Sequence, residues 1–122
     1  MLLRSKIDQK VYLDNDGTEN FQAGEIFEFD GEYKNGHYFG WYYGEYMILP
    51  NHVFEKVTEK EYELYRVEQH LRWIADEVFP NDNNRAIEQC YGFVQGFMWC
   101  HDDWYDEITE MWNRLHSELL YR

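Results

Sequence analysis

The chain has 122 residues, with 24 Asp and Glu against 11 Lys and Arg, which gives a formal net charge of -13. This balance argues against direct nucleic-acid binding, because contacts to phosphates are made by Lys and Arg. Aromatic residues make up 20% of the sequence, which excludes a disordered acidic tail because such tails contain few aromatic side chains.

The N-terminal sequence and the cysteines bear on cellular location. The first six residues, Met-Leu-Leu-Arg-Ser-Lys, lack the longer apolar core of a signal peptide. No apolar run is as long as the roughly 18 residues that a membrane-spanning helix needs. We therefore expect a cytoplasmic protein, in which Cys90 and Cys100 stay reduced.

Residues 1–57 contain the turn signals of a β-rich unit, since six of the eight glycines lie there. Alternation of polar and apolar residues over 25–29 predicts a strand. Asn35-Gly36, between two aromatic-rich segments, predicts a tight hairpin. Pro50 ends the next predicted strand, and residues 53–57 return as a short last strand.

Four sequence landmarks follow one another in this unit: Val-Tyr-Leu-Asp at 11–14, Asn-Phe-Gln-Ala-Gly-Glu-Ile-Phe at 20–27, Trp-Tyr-Tyr at 41–43 and Met-Ile-Leu-Pro-Asn-His-Val at 47–53. Together they resemble the landmarks of an SH3-like barrel. The resemblance implies a groove for proline-rich peptides lined by Tyr12, Trp41 and Pro50. It also implies an acidic first loop, which here holds Asp14, Asp16 and Glu19. The alternative is that these aromatic residues simply fill the core of a small barrel.

The second half of the sequence predicts three helices. Thr58 and Glu61 form a capping box, so a helix is expected over about 58–78, with Leu64, Val67, Leu71, Ile74, Ala75 and Val78 on its apolar face. Tyr62 and Trp73 lie on the opposite side. They are either covered by the rest of the chain or exposed to hold a partner.

The second and third helices follow a break at residues 80–84. Asn81 or Asp82 is the predicted cap of a helix over about 83–99, whose apolar face carries Ala86, Cys90, Phe93, Val94 and Phe97. Gly92 and Gly96 either allow close helix contact or only weaken the helix. Asp102 or Asp103 is the predicted cap of the last helix, over about 103–121.

The start of this last helix is the most acidic segment of the sequence. No Lys or Arg lies between Arg85 and Arg114. At 100° per residue four acids fall on one stripe, apart from the apolar face that contains Trp112: Asp103, Asp106, Glu107 and Glu110. Either the stripe binds a basic partner, together with Asp102, or it is a solvated face whose acids suit the helix dipole.

Motifs for catalysis or metal binding are weak. Cys90, Cys100, His101 and His116 lack the two-to-four-residue spacing that is typical of zinc sites. The sequence contains no glycine-rich phosphate loop and no nucleophile motif. We therefore expect no metal, no cofactor and no enzymatic activity.

The combined prediction is an α+β fold: an SH3-like antiparallel β-barrel over residues 1–57, followed by a three-helix bundle over 58–122. Size, acidity and aromatic content resemble those of small phage-encoded inhibitors, including anti-CRISPR proteins that imitate nucleic acid. The predicted function is inhibition of a nuclease by occupying its basic cleft, in a host cytoplasm. The alternatives are an adaptor that binds a peptide through the barrel, and an immunity protein against a nuclease toxin.

Overall fold

A computed structural model describes residues 1–13 and 15–122, so Asp14 lies outside the described residues. The fold is α+β, with eight strands followed by three α-helices. The chain divides into two compact units, Met1–Tyr62 and Glu63–Arg122. The first unit holds the strands and the start of the first helix, and the second holds the other helices.

The strands form three small antiparallel sheets. Their bounds are β1 Leu2–Ser5, β2 Gln9–Tyr12, β3 Thr18–Phe21, β4 Ile26–Glu28, β5 Asp30–Lys34, β6 His37–Tyr42, β7 Glu45–Pro50 and β8 Phe54–Lys56. The strand orders are β4-β1-β8, β2-β3 and β5-β6-β7. In residues 1–13 and 15–122 these sheets do not join into a closed barrel, so the SH3-like resemblance stays a prediction.

The predicted hairpin at Asn35-Gly36 is confirmed. Both residues have positive φ, 53° and 82°, as the tight turn between β5 and β6 requires. Farther along this ladder Gly31 lies opposite Gly40. A Cβ on Gly31 would lie 2.7 Å from the Phe29 ring and 2.8 Å from the Gly40 Cα, so the two strands approach closely only because both residues lack a side chain.

Phenylalanine rings fill the core of the first unit. Phe21 stacks on Phe27 at 4.5 Å between ring centroids, and Phe54 meets both rings edge-on. Tyr12 and Trp41 do not join this core, because they are 78% and 52% exposed. The alternative that they fill a barrel core is therefore wrong.

The helices are α1 Glu59–Trp73, which continues as a π-helix over Ile74–Val78, α2 Asn83–Cys100 and α3 Tyr105–Leu120, preceded by a 3-10 turn over Asp102–Trp104. The capping box is confirmed: the Thr58 amide donates to the Glu61 carboxylate at 2.8 Å, and the Glu61 amide donates to the Thr58 hydroxyl at 3.2 Å. Asp82 caps α2 by accepting from the Arg85 amide at 3.1 Å.

The core of the second unit matches most of the predicted helix faces. Its fully buried members are Val67, Leu71, Ala75, Ala86, Cys90, Val94, Ile108, Met111, Trp112, Leu115 and Leu119. Val78 and Phe93 were expected there but are 47% and 39% exposed. For Val78 the reason is the π-helix, whose wider turn moves it off the α-helical face. A Cβ on Gly92 or Gly96 would meet nothing within 4 Å, so the prediction of close helix contact there is wrong.

Candidate partner-binding surfaces

The acidic segment, defined as Asp102, Asp103, Asp106, Glu107 and Glu110, is exposed at all five positions. Asp102 and Asp103 lie in the 3-10 turn, and the other three lie in α3. A 3-10 turn has 3.0 residues per turn, so the 100° spacing does not hold across its junction with α3. The predicted stripe is therefore continuous only from Asp106 to Glu110.

Neither predicted cap of α3 is present. Trp104 occupies the N-cap position of α3 and His101 that of the 3-10 turn, and neither makes a side-chain capping hydrogen bond. The turn continues the helical path ahead of α3, so Asp102 and Asp103 lie inside it instead of preceding a free helix end. Both acids lie in the first turn of the 3-10 helix, where carboxylates suit the helix dipole without capping it.

The acidic segment lies apart from the buried face of α3, as predicted. Ile108, Trp112 and Leu115 are 0%, 8% and 1% exposed, whereas the acids on the same helix face solvent. Changes to the acids therefore leave the core intact.

Arginines of the second unit pair with acids outside the acidic segment. Arg72 and Glu118 meet at 2.6 Å, Arg114 and Glu68 at 2.7 Å, and Arg122 and Asp76 at 3.1 Å. The hydrogen bond between Arg72 and Glu118 lowers the pKa of Glu118 and raises the pKa of Arg72. These cations hold helices together and do not neutralise Asp102, Asp103, Asp106 or Glu110.

Two exposed aromatic residues lie near the acidic segment in the sequence, Trp99 three positions before it and Tyr105 within it, and they were not predicted. Trp99 is 89% exposed and Tyr105 is 59% exposed. Next to them, His101 stacks on Trp104 with 4.4 Å between ring centroids. The sequence does contain the signal for Trp99: nine residues after buried Cys90, it falls on the opposite side of the helix.

Tyr62 and Trp73, the other predicted partner-binding residues, belong to different compact units. Trp73 is 54% exposed and stacks on His70, with 5.9 Å between ring centroids. Tyr62 is half-buried and lines a cleft of the first unit. Of the two, Trp73 therefore has the more accessible ring.

The predicted peptide groove is not assembled from its three residues. Trp41 pairs with Tyr46 and Pro50 pairs with His37, at opposite ends of the β6-β7 ladder. Pro50 lies four positions after Tyr46 on β7, which corresponds to a distance of about 13 Å along the strand. Tyr12 lies on β2, in a separate two-stranded sheet.

Trp41 instead lines a different cleft of the first unit, with a volume of about 750 Å³. Residues from β4, β5, β8 and the start of α1 complete its walls, among them four acids: Glu25, Glu28, Asp30 and Glu59. Neither Tyr12 nor Pro50 belongs to it. This cleft was not predicted, because its walls come from segments that are distant in the sequence.

The cysteines differ in environment. Cys90 is fully buried, and its thiol donates to the Leu71 carbonyl at 3.5 Å. Burial raises the pKa of the Cys90 thiol. Cys100 is exposed. In the described part of the chain, no three His, Cys, Asp or Glu side chains come together in a way that could hold a metal ion.

The helices within residues 1–13 and 15–122 include none with both the length and the apolar character needed to cross a membrane. Comparison of the chain with protein-family models, with curated proteins and with solved structures found no match. The case for function therefore depends on the surfaces described above.

Proposed function

We propose that the protein acts by binding and not by catalysis, and that its acidic segment occupies the basic nucleic-acid-binding surface of a nuclease. The observation that carries the proposal is the exposed row of carboxylates at the start of α3, while Arg72, Arg114 and Arg122 pair with acids elsewhere in the unit. Such a row leaves its negative field available to a partner.

The charge density of this row is similar to that of nucleic acid. The 3-10 turn rises about 2.0 Å per residue and the α-helix about 1.5 Å, so residues 102–110 span about 13 Å. Asp102, Asp103, Asp106 and Glu110 place four negative charges over that length, one per about 3.3 Å, and Glu107 adds a fifth carboxylate that also interacts within the chain. This value lies between one per about 3.4 Å for a single DNA strand and one per about 1.7 Å for a duplex.

Exposed aromatic residues can supply the binding energy that surface charge alone does not provide. Surface charges steer encounter and confer specificity, but aromatic anchors provide most of the energy in protein interfaces. Trp99 lies three positions before the acids and Tyr105 lies among them in the sequence, and both rings are exposed. The proposed interface thus combines steering carboxylates with rings that can be buried on contact.

The same chemistry suits an anti-CRISPR inhibitor and an immunity protein against a nuclease toxin, since both targets bind nucleic acid through basic clefts. The adaptor alternative has less support, because Trp41 and Pro50 lie at opposite ends of their ladder. The finer proposal of an SH3-like barrel for the first unit is supported by the sequence landmarks and by the antiparallel pairing of β5, β6 and β7 in chain order.

Competition for a nuclease is the direct test. The intact chain is titrated into complexes of a labelled DNA duplex with purified nucleases, drawn from CRISPR effectors and bacterial toxins. Displacement of the duplex at about 0.1 M salt, weakening toward about 0.5 M, supports the proposal because salt screens surface charge. Simultaneous binding of DNA and the chain to one nuclease contradicts it.

A further inference from the structure

The cleft that contains Trp41 has an aromatic wall and an acidic rim, both within the first unit. Trp41 is 52% exposed and Tyr43 is 91% exposed, and both line the cleft together with Tyr42 and Tyr62. The cleft volume is about 750 Å³, enough for a long side chain and the peptide on either side of it. The aromatic faces have negative potential, which attracts cations.

Carboxylates surround these rings. Glu25, Glu28, Asp30 and Glu59 line the cleft. The cations there are Lys56 and the amino terminus of Met1, whose ammonium donates to the Phe29 carbonyl at 2.7 Å. Asp30 is the cross-strand partner of Trp41, so its carboxylate lies beside the indole on the same face of the sheet. A cation over the indole would therefore also meet a carboxylate.

Tyr43 and Gly44 form the tight turn that joins β6 to β7. Tyr43 has a φ of 47° and Gly44 a φ of 80°, the positive values that such a turn requires. The Tyr43 ring projects from this turn. It contacts Tyr42, at 4.7 Å between centroids, and is otherwise open to solvent. The turn therefore leaves the Tyr43 ring exposed where it lines the cleft.

We propose that this cleft binds an arginine side chain of a basic peptide segment in a protein partner. The planar guanidinium stacks on the Trp41 and Tyr43 rings, while its N–H groups donate to the Asp30 carboxylate. Lysine would make the ammonium contact but not the planar stacking. This site is separate from the acidic segment, and it does not depend on the function proposed above.

The probe is a capped nonapeptide in which three arginines alternate with glycines. The matched probe replaces each arginine with citrulline, which keeps the shape and removes the charge. Binding to the intact chain is followed by NMR, through the indole N–H of Trp41 and the amides of Tyr43 and Gly44. The indole N–H of Trp99, in the second unit, reports any binding at the acidic segment.

Matched variants separate the cleft from general charge. Asp30→Asn is paired with Glu32→Gln, an exposed acid two residues along β5 that does not line the cleft. Trp41→Ala is paired with Tyr121→Ala, which removes an exposed aromatic ring that belongs to neither the cleft nor the acidic segment. We expect Asp30→Asn and Trp41→Ala each to weaken binding of the arginine peptide by about three- to tenfold. The paired controls are expected to stay within about twofold of the parent.

The outcomes are distinct. The site is supported by shifts at Trp41, Tyr43 and Gly44 with the arginine peptide and not with the citrulline peptide. These shifts should weaken in Asp30→Asn, and those of the Tyr43 and Gly44 amides should weaken in Trp41→Ala. The proposal is overturned by equal shifts with both peptides, by shifts confined to Trp99, or by unchanged binding in folded Trp41→Ala. Retained β-sheet resonances in each variant show that the unit is folded.

Discussion

Neutralising the acidic segment should weaken partner binding without unfolding the protein. The variant carries Asp103→Asn, Asp106→Asn, Glu107→Gln and Glu110→Gln. None of these residues belongs to the buried face of α3, and no side chain caps the helix there. The dipole effect is lost, about 0.3 to 1 kcal/mol for each acid near the helix start, and Glu107 also loses its interaction within the chain. Relief of repulsion between Asp106 and Glu110, one turn apart, offsets part of that loss.

Binding should change much more than stability. An exposed ion pair contributes about 0.2 to 1 kcal/mol, so losing four acids should weaken binding by about tenfold or more. Most of the loss should appear in the association rate, with a flatter dependence on salt, because the charges steer encounter. Stopped-flow or surface-based kinetics at two salt concentrations measures both quantities. A second variant that keeps Glu107 is informative because Glu107 also interacts within the chain.

The control removes the same charge from exposed acids outside the segment: Glu32→Gln, Glu63→Gln, Glu77→Gln and Glu88→Gln. If the two quadruple variants lose binding equally, net charge alone attracts the partner and the segment has no special role. If the segment variant binds its nuclease as fast and as tightly as the parent, the acids are only a solvated face. The search would then move to Trp73 and the Trp41 cleft.

Further predictions concern the second unit. Trp112→Ala should lower the free energy of unfolding by about 3 to 5 kcal/mol in urea titrations, because the ring is 8% exposed within the core. Arg122→Ala should cost about 1 to 3 kcal/mol, measured in the same way, since the guanidinium donates to the Ala75 carbonyl at 2.8 Å and pairs with Asp76. The pKa of Glu118 is lowered from 4.5 by the hydrogen bond from Arg72, so the ionised carboxylate stabilises the fold above pH 4.5 and this stabilisation is lost as the pH falls below it. In Glu118→Gln the free energy of unfolding, measured by urea titration, should therefore change less with pH in that range. Cys100 should react quickly with a thiol reagent and Cys90 only on unfolding, which absorbance would show, because one thiol is exposed and the other is buried with a raised pKa.

The features predicted well from sequence are local ones. The Thr58 capping box, the Asp82 cap and the Asn35-Gly36 hairpin each depend on residues within a few positions of one another, and each forms as predicted. The buried face of α3 also follows from spacing alone, because the hydrophobic gain from burying that face outweighs any weak local preference.

The features that were missed depend on distant contacts. The π-helix at Ile74–Val78 is held by Arg122, whose side chain bonds to the Ala75 carbonyl from 47 positions away. The 3-10 turn at Asp102–Trp104 moves the start of α3 and divides the acidic stripe. The exposure of Trp41 depends on how the strands divide among three sheets, and no local pattern shows that division.

Acidity by itself does not locate a binding surface in this protein. Residues 1–62 hold twelve acids against six bases, and residues 63–122 hold twelve against five, so each unit carries a similar excess. What distinguishes the acidic segment is that arginines of its unit pair with acids elsewhere, while Trp99 and Tyr105 lie exposed beside it. What distinguishes the Trp41 cleft is that carboxylates and aromatic rings line the same concave surface. In both places the charges attract a partner and the aromatic rings offer surface that the partner can bury. A binding interface should therefore lose affinity at moderate salt when its exposed aromatic residue is changed to alanine, whereas a merely charged face should not.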